Sequence, residues 1–546
     1  MGCLAFIKRE FTGRRLVFNV IWHGIHFALF AFGWIAQKSN QKLAILNLLQ
    51  YSVWTSRGAG LCLAFDGAVM FLPLCRKTIA FLRPSFRGLM PLDENIWFHR
   101  QAAYTCIFYS FIHVTAHYVN MLNVERTQVR PNTAVGIMYT ETGPFTGHVM
   151  VFILVIMATT AHHSIRKQCF EAFWYTHQLA IFWAIAFYSH ASGCFVRGAM
   201  PGEKVHCIGF NSITYAVYGG VIYCLERVWR EISSRRQTEV LGVLLHPSGT
   251  MDIRFRKPSF KYVPGQWIYL QMPEVSNWQW HPFTISSAPD DPYISIHVRQ
   301  VGDFTRAVGR RLGATPKLVA QISKVANQGI KGKNARNGRS VDITTVKSPK
   351  LPVIRIDGPY GAPAEDVFNF EFVILIGAGI GVTPFASILK NIYYMQKKGN
   401  LNILRKVQFI WLNKHAAAVG WFQELLQNLE ESIQSSDLLQ IDMYLTGVLD
   451  IDTAQNVALN DVGAEYDALT GLKSRTHFGR PVWDKDVFLP AGQLINSGHH
   501  AGLQPKTKRK VGVFYCGPSD LARTLKSECK KHSTNTYTFE FYKEHF

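Results

Sequence analysis

The sequence predicts a multidomain membrane protein: a six-helix transmembrane bundle, then an antiparallel β-barrel, then an α/β domain. Three observations carry this. First, residues 16–36, 101–124, 147–165, 172–192 and 205–225 contain no Asp, Glu, Lys or Arg, and a sixth run, 51–74, is broken only by Arg57 and Asp66. Each is long enough to cross a hydrocarbon core of about 30 Å as a helix. Second, after the basic stretch Arg227–Arg236 the pattern changes to short alternating strands such as Val240–Leu245, Gln266–Met272 and Tyr293–Val298, separated by turns such as Pro264-Gly265. That is the signature of an antiparallel barrel. Third, the apolar stretch Phe372–Ile376 runs into a glycine-rich loop and a helix through Tyr394, with further strands near Val407–Leu412, Gln440–Leu445 and Lys510–Tyr515. Alternation of this kind builds a parallel sheet. The expected domains are 1–232, 233–365 and 366–546.

The formal net charge of +21 invites a nucleic-acid reading, but no binding motif accompanies it. The basic residues sort by side of the bundle instead. Lys8, Arg9, Arg14 and Arg15 precede the first span; Arg76, Lys77, Arg83 and Arg87 follow the second; Arg166 and Lys167 follow the fourth. Positive residues stay inside, so the N-terminus and the C-terminal domains are expected in the cytosol. The first span is too long and continuous for a cleaved signal peptide. The ten cysteines show no CxxC or zinc spacing. Cys194 and Cys207 share a non-cytosolic connection, where an oxidising environment permits a disulfide. The basic stretch 317–350, with Gly329, Gly332 and Gly338 among its lysines and arginines, reads as a solvated flexible loop.

Two apolar spans each carry a widely spaced pair of histidines. His99 and His113 are fourteen residues apart, His177 and His190 thirteen. Fourteen helical residues rise about 21 Å and end about 320° beyond whole turns, so the first pair shares a face. Thirteen leave about 220°, so the second pair shares a face only if span five is distorted. Opposite chain directions set His177 at the depth of His99 and His190 at that of His113. Two histidines from facing helices clamp a haem from both sides, giving the pairings His99–His177 (inner) and His113–His190 (outer). Satisfied core histidines are the bland alternative for any one of the four; two matched pairs outweigh it. Arg57 lies within span two, where a charge faces the bundle interior. His117, four residues past His113, shares that face.

In the barrel, HPFTISSAP (281–289) offers small hydroxyls and amides for a flavin pyrophosphate, and HVRQVGDFT follows with Arg299 as a phosphate fork and Thr305 at a helix start. In the α/β domain, Gly377, Gly379 and Gly381 with Thr383 and Pro384 let backbone amides approach a pyrophosphate at a helix N-terminus. The spacing differs from GxGxxG, which disfavours a plain Rossmann dehydrogenase.

HPFTISSAP, GAGIGVTPF, GLKSRTHFGRPVWD, FYCGP and the terminal FYKEHF, together with the histidine pairs, resemble the NADPH oxidase catalytic subunit over essentially the whole chain. With a short N-terminus and no EF-hand loop, the chain is most similar to the fungal NADPH oxidase A type. The resemblance implies a ferric-reductase-like bundle and a ferredoxin-reductase-like cytosolic half holding FAD and NADPH, with two b-type haems in the membrane. Its motifs imply FAD contacts at His281, Pro282, Phe283, Thr284, Arg299 and Thr305. They imply NADPH pyrophosphate contacts at Gly377, Gly379, Gly381, Thr383 and Pro384, and a nicotinamide neighbour at Cys516. Lys414 and Arg480 would favour the 2′-phosphate, and Phe546 would cover the flavin. Arg57 and His117 match positions beside the outer haem where oxygen reacts.

The implied activity is electron transfer from cytosolic NADPH through FAD and both haems to molecular oxygen on the opposite side, producing superoxide at the edge of six-coordinate haem. The implied partners are a small GTPase, a small membrane stabilising subunit and a cytosolic activator protein, at the plasma membrane or an endomembrane. A ferric-chelate reductase with the same electron path is the rival enzyme, and a non-catalytic haem-binding signalling protein the rival of another class.

Overall fold

The computed structural model describes residues 13–86, 92–127, 132–190, 197–198, 206–207, 212–330, 341–343, 351–414, 419–432, 438–447, 454–455, 457, 464–467, 469–496 and 508–544. The chain divides into two compact units, Met1–Trp229 and Arg230–Phe546.

The first unit is helical. Its long rods are α1 (Arg14–Lys38), α2 (Tyr51–Val69), α3 (Asn95–Thr127), α4 (Thr142–Thr160), the broken rod α5 (Phe170–His177) and α6 (Ala180–His190), and α7 (Ser212–Ser234). Three segments, Arg15–Lys38, Tyr51–Leu74 and Thr142–Thr160, are long and apolar enough to cross a membrane by length and composition alone. α3 carries His113, His117, Asn120 and Asn123 among its apolar residues, and the fifth rod is interrupted, which keeps both from that class. The last helix differs from the expected span 205–225. It starts at Ser212 and continues into the charged turn Glu226–Glu231, while His206–Cys207 pair with Arg197–Gly198 as an antiparallel bridge. Glu226 stays helical because its carboxylate caps another helix, accepting from Lys77 N and Thr78 N at 2.9 Å and Thr78 Oγ1 at 2.7 Å. The fourth rod stops at Thr160, before His162-His163.

Between α5 and α6 the backbone tightens. Gln178 N donates to Tyr175 O, Leu179 N to Thr176 O and Ile181 N to Gln178 O, all three residues back rather than four. Thr176 Oγ1 also reaches the Ala172 carbonyl at 2.6 Å, a contact that bends helices. Each such tight step turns about 120° instead of about 100°. Three or four of them advance the His177–His190 offset from about 220° to about 290°, close to the about 320° of the other pair. The distortion required by the thirteen-residue spacing is therefore present.

The second unit opens with an antiparallel barrel of two sheets. One has the order β5-β2-β1-β6, from β1 (Glu239–Leu245), β2 (Thr250–Arg256), β5 (Ile294–Arg299) and β6 (Val341–Asp342). The other has the order β4-β3-β7, from β3 (Trp267–Gln271), β4 (His281–Thr284) and β7 (Arg355–Tyr360). A bridge between Ile285 and Ile296 joins them over a core of Leu245, Met251, Ile253, Phe255, Ile268 and Leu270. The basic stretch 317–350 is not loop throughout. Residues Pro316–Ile330 form a helix, because Leu318, Val319 and Ile322 recur at helical spacing and pack on the barrel core. Residues 331–340 and 344–350 lie outside the described residues.

Next comes a six-stranded parallel sheet, ordered β11-β10-β9-β8-β12-β13, from β8 (Phe372–Ala378), β9 (Lys406–Asn413), β10 (Leu439–Leu445), β11 (Thr476–Phe478), β12 (Arg509–Cys516) and β13 (Tyr537–Lys543). Its central strands β8, β9 and β12 are largely apolar and buried on both faces, as parallel strands are. β8 is flanked by β9 and β12, so Gly377 sits between Trp411 and Cys516 at the carboxyl edge.

Candidate functional site

The histidine pairs meet as their depths require. The ring centroids of His99 and His177 are 6.3 Å apart, and those of His113 and His190 are also 6.3 Å apart. An imidazole nitrogen binds a metal at about 2 Å and lies about 1 Å from its ring centre, so a metal clamped between two imidazoles separates their centroids by about 6 Å. Both pairs fit an iron between them. Neighbouring oxygens fix the rings: Met70 O lies 3.0 Å from His99 Nδ1, Ser56 O 2.9 Å from His113 Nδ1, and Thr146 Oγ1 2.9 Å from His190 Nδ1. A carbonyl only accepts, so His99 and His113 carry the proton on Nδ1 and leave Nε2 with its lone pair for a metal. His177 Nδ1 is buried with no partner among the described residues.

Around the second pair lies a cavity of about 720 Å³, lined by Ser56, Arg57, His113, His117 and His190. Arg57 and His117 thus reach the same chamber as the outer histidines, with the His117 ring 4.4 Å from that of His113. Glycine makes room against both rings. A Cβ on Gly60 would stand 3.3 Å from His113 Cε1, and one on Gly147 3.4 Å from His190 Cε1. Sequence reasoning found the histidines but missed Ser56, Met70, Gly60, Thr146 and Gly147, whose parts are played by backbone, by a lone hydroxyl or by lack of a side chain. His26 Nδ1 donates to Trp22 O at 2.8 Å, and Nε2 lies 2.9 Å from Asp66 Oδ1, which also accepts from Thr105 Oγ1 at 2.9 Å. One oxygen of the acidic group in span two thereby has two partners within the bundle, while Asp66 Oδ2 is buried with no hydrogen-bond partner among the described residues.

In the barrel, His281, Pro282, Phe283 and Thr284 form β4 on the sheet that also carries Trp267 and Tyr269. Pro282 is exposed, Phe283 half-buried and Thr284 buried. His281 stacks on Phe304 with centroids 3.9 Å apart. Arg299 ends β5 and is exposed, and Thr305 Oγ1 accepts from Val301 N and Gly302 N at the next helix start. The serines of HPFTISSAP are committed elsewhere, which corrects the expectation that their hydroxyls face a pyrophosphate. Ser286 Oγ bonds Ser295 Oγ at 2.9 Å and Ser287 Oγ accepts from Ser295 N at 2.9 Å, both buried. Of this set Pro282 and Arg299 are the exposed side chains, and His281, Phe283 and Thr305 are half-buried.

The glycine loop follows β8 directly, and Trp411 Nε1 pins it by donating to Gly379 O at 3.0 Å. Gly379 has φ +57°, and a Cβ on Gly381 would sit 2.5 Å from the Cys516 carbonyl oxygen. The cradle therefore admits no side chain at Gly381, and the helix after it (α8, Thr383–Lys397) opens with Pro384 in its first turn. An anionic group fits at such a helix start. Cys516 is buried beside it, and burial pushes its thiol well above the usual range, so it stays protonated. Lys414 follows β9 and Arg480 follows β11, both exposed at this carboxyl edge. Phe546 and Cys194 lie outside the described residues, and the placement of the Cys207 side chain does too.

Comparison with known proteins agrees with this arrangement. A family described as "Ferric reductase like transmembrane component" matches residues 66–188, "FAD-binding domain" matches 235–364, and "Ferric reductase NAD binding domain" matches 370–530. The chain is 32% identical to NADPH oxidase 1 of Mus musculus, over 97% of this chain and 93% of that one. It is also 32% identical to a superoxide-generating NADPH oxidase heavy chain of Dictyostelium discoideum, over 98% and 97%. With respiratory burst oxidase homolog protein B of Solanum tuberosum it shares 29% identity over 98% of this chain and 64% of that one. Full-length similarity at this level, on a membrane bundle with two clamped histidine pairs and a flavin–nucleotide half, places the chain in the NADPH oxidase family.

Proposed function

We propose that this integral membrane protein moves electrons from NADPH through FAD and two b-type haems to molecular oxygen across the bilayer, producing superoxide. The observation that carries this is the repeated 6.3 Å separation in His99–His177 and His113–His190. When bound, the nucleotide supplies a hydride, the flavin divides it into single electrons, and the haems pass these on one at a time.

The chain's residues supply position and charge. His99 and His177 hold the inner haem, and His113 and His190 the outer one. Arg57 brings a cation and His117 an imidazole to the wall of the outer chamber, where an anionic product develops. Gly377, Gly379, Gly381, Thr383 and Pro384 receive the nucleotide pyrophosphate. Cys516, held protonated, packs beside the nicotinamide without ionising. Lys414 and Arg480 meet the 2′-phosphate. His281, Pro282, Phe283, Thr284, Arg299 and Thr305 hold FAD, and Phe546 covers its ring. The domains proposed for these tasks are 1–232, 233–365 and 366–546.

Within the family we place the chain with the fungal NADPH oxidase A type on its motifs. The basic residues flanking spans one, two and four support a cytosolic N-terminus and cytosolic C-terminal domains, in the plasma membrane or an endomembrane. The partners that the resemblance implies are a small GTPase, a small stabilising membrane subunit and a cytosolic activator. One experiment tests the electron path and its acceptor. Purified, haem- and FAD-loaded protein is supplied with NADPH, and superoxide and ferric-chelate reduction are measured in parallel with haem stoichiometry. Two low-spin haems and superoxide-dismutase-sensitive oxygen consumption are expected. Chelate reduction without oxygen consumption would make the chain a ferric reductase.

A further inference from the structure

We propose that the barrel holds a zinc site formed by His246, Asp252 and His297, apart from the flavin and nucleotide residues. His246 directly follows β1, Asp252 lies in β2 and His297 in β5. Asp252 and His297 are cross-strand partners, and the hairpin bond from His246 N to Thr250 O turns His246 back beside them. One donor atom from each lies within 4.8 Å of the others. Three ligands at about 2.0–2.1 Å from a tetrahedral zinc stand about 3.4 Å apart, so small side-chain rotations close the set. Two imidazoles and one carboxylate form a donor set that zinc accepts, with a fourth position left for water.

The surroundings hold these donors in place. Asp252 Oδ2 accepts from Arg254 Nε at 2.8 Å, while its Oδ1 is buried with no hydrogen-bond partner among the described residues. One oxygen is oriented and the other is left to bind. His297 Nδ1 lies 2.7 Å from Ser286 Oγ, which leaves Nε2 for a metal. Its ring is covered by Trp421 at 4.2 Å and lies nearly parallel to that of His246, with centroids 5.6 Å apart. Burial lowers both histidines, His246 to about 3, so both are neutral ligands at physiological pH. Both nearby cations are matched by carboxylates. Arg254 is paired with Asp252, and Lys390 with Asp291 at 3.5 Å. A bound zinc would tie the β1–β2 hairpin to β5 under Trp421.

Haem- and FAD-loaded full-length protein, so that the haem histidines are occupied, is treated with chelator, reloaded with zinc chloride, gel-filtered and analysed for metal. Retention of one zinc per chain is expected, with X-ray absorption fine structure showing two imidazoles and oxygen. Ser286→Ala should weaken zinc binding by about 10- to 100-fold while preserving every ligand, and H246Q/D252N/H297Q should abolish it with the haem spectrum intact. No retained zinc, sulfur in the zinc shell, or undiminished binding in the triple variant would overturn the proposal. If the triple variant does not fold, the fine structure of the natural chain decides alone.

Discussion

A Cβ on Gly381 would lie 2.5 Å from the carbonyl oxygen of Cys516, so the nucleotide loop and the end of β12 touch backbone to backbone. Gly381→Ala must push the loop off that strand. Overpacking of this kind costs about 1–3 kcal/mol, or roughly 5- to 100-fold in nucleotide affinity. The expected variant has a raised KM for NADPH and a normal dithionite-reduced haem spectrum; an unchanged KM would refute the contact's role.

The outer pair makes a prediction independent of the cytosolic half. His113→Leu or His190→Leu removes one clamp, and the haem content should fall from two per chain to one, with loss of one low-spin signal. His99→Leu or His177→Leu should remove the other. Electron paramagnetic resonance with pyridine-haemochrome quantitation reads both, and an unaltered spectrum in either variant would break that pairing.

Lys414 and Arg480 end strands two apart at the same sheet edge. A hydrogen bond to a charged phosphate contributes about 1.5–3 kcal/mol, so removing either cation should lower NADPH use by roughly 10- to 100-fold with NADH use little changed. The ratio of kcat/KM for the two nucleotides checks this. A parallel loss with NADH would assign these residues to folding instead.

Alkaline pH should loosen the nucleotide domain. Burial raises the Cys529 thiol from 9.0 to about 12, and Tyr444 is likewise raised to about 12. Above pH 9 the unfolded chain releases the thiol proton that the folded chain keeps, so this contribution is full below pH 9 and is lost as pH rises towards 12. The loss from Cys529 amounts to about 1 kcal/mol by pH 10. Thermal melting followed by flavin fluorescence should decline from pH 8 to 10.5, less steeply in Cys529→Ala. Equal slopes would exclude the thiol as a cause.

The architecture was legible because its signals are periodic or compositional. Uncharged runs reported the rods, alternation reported the barrel, and glycines after β8 reported the nucleotide loop. The histidine pairs were legible because depth follows from chain direction. The acceptors at Met70 and Ser56 were not, since a backbone carbonyl carries no residue identity. The bond between His26 and Asp66 spans 40 residues and is a product of packing. The basic run that follows, from Lys331 to Arg339, concealed the helix Pro316–Ile330, in which Leu318, Val319 and Ile322 recur at helical spacing. The serines of HPFTISSAP misled because a hydroxyl suited to phosphate is equally suited to a barrel's own amides.

The tightened turn at Gln178–Leu179 also settles a matter of height. A tight step rises about 2.0 Å where an ordinary helical step rises about 1.5 Å. Three or four such steps lengthen thirteen residues from about 19.5 Å to about 21 Å, the rise of the fourteen residues between His99 and His113. The two histidine ladders thus have matching rungs despite unequal residue counts. Adding one residue at this joint would lift one rung alone, so the shorter spacing belongs to the match between the two pairs.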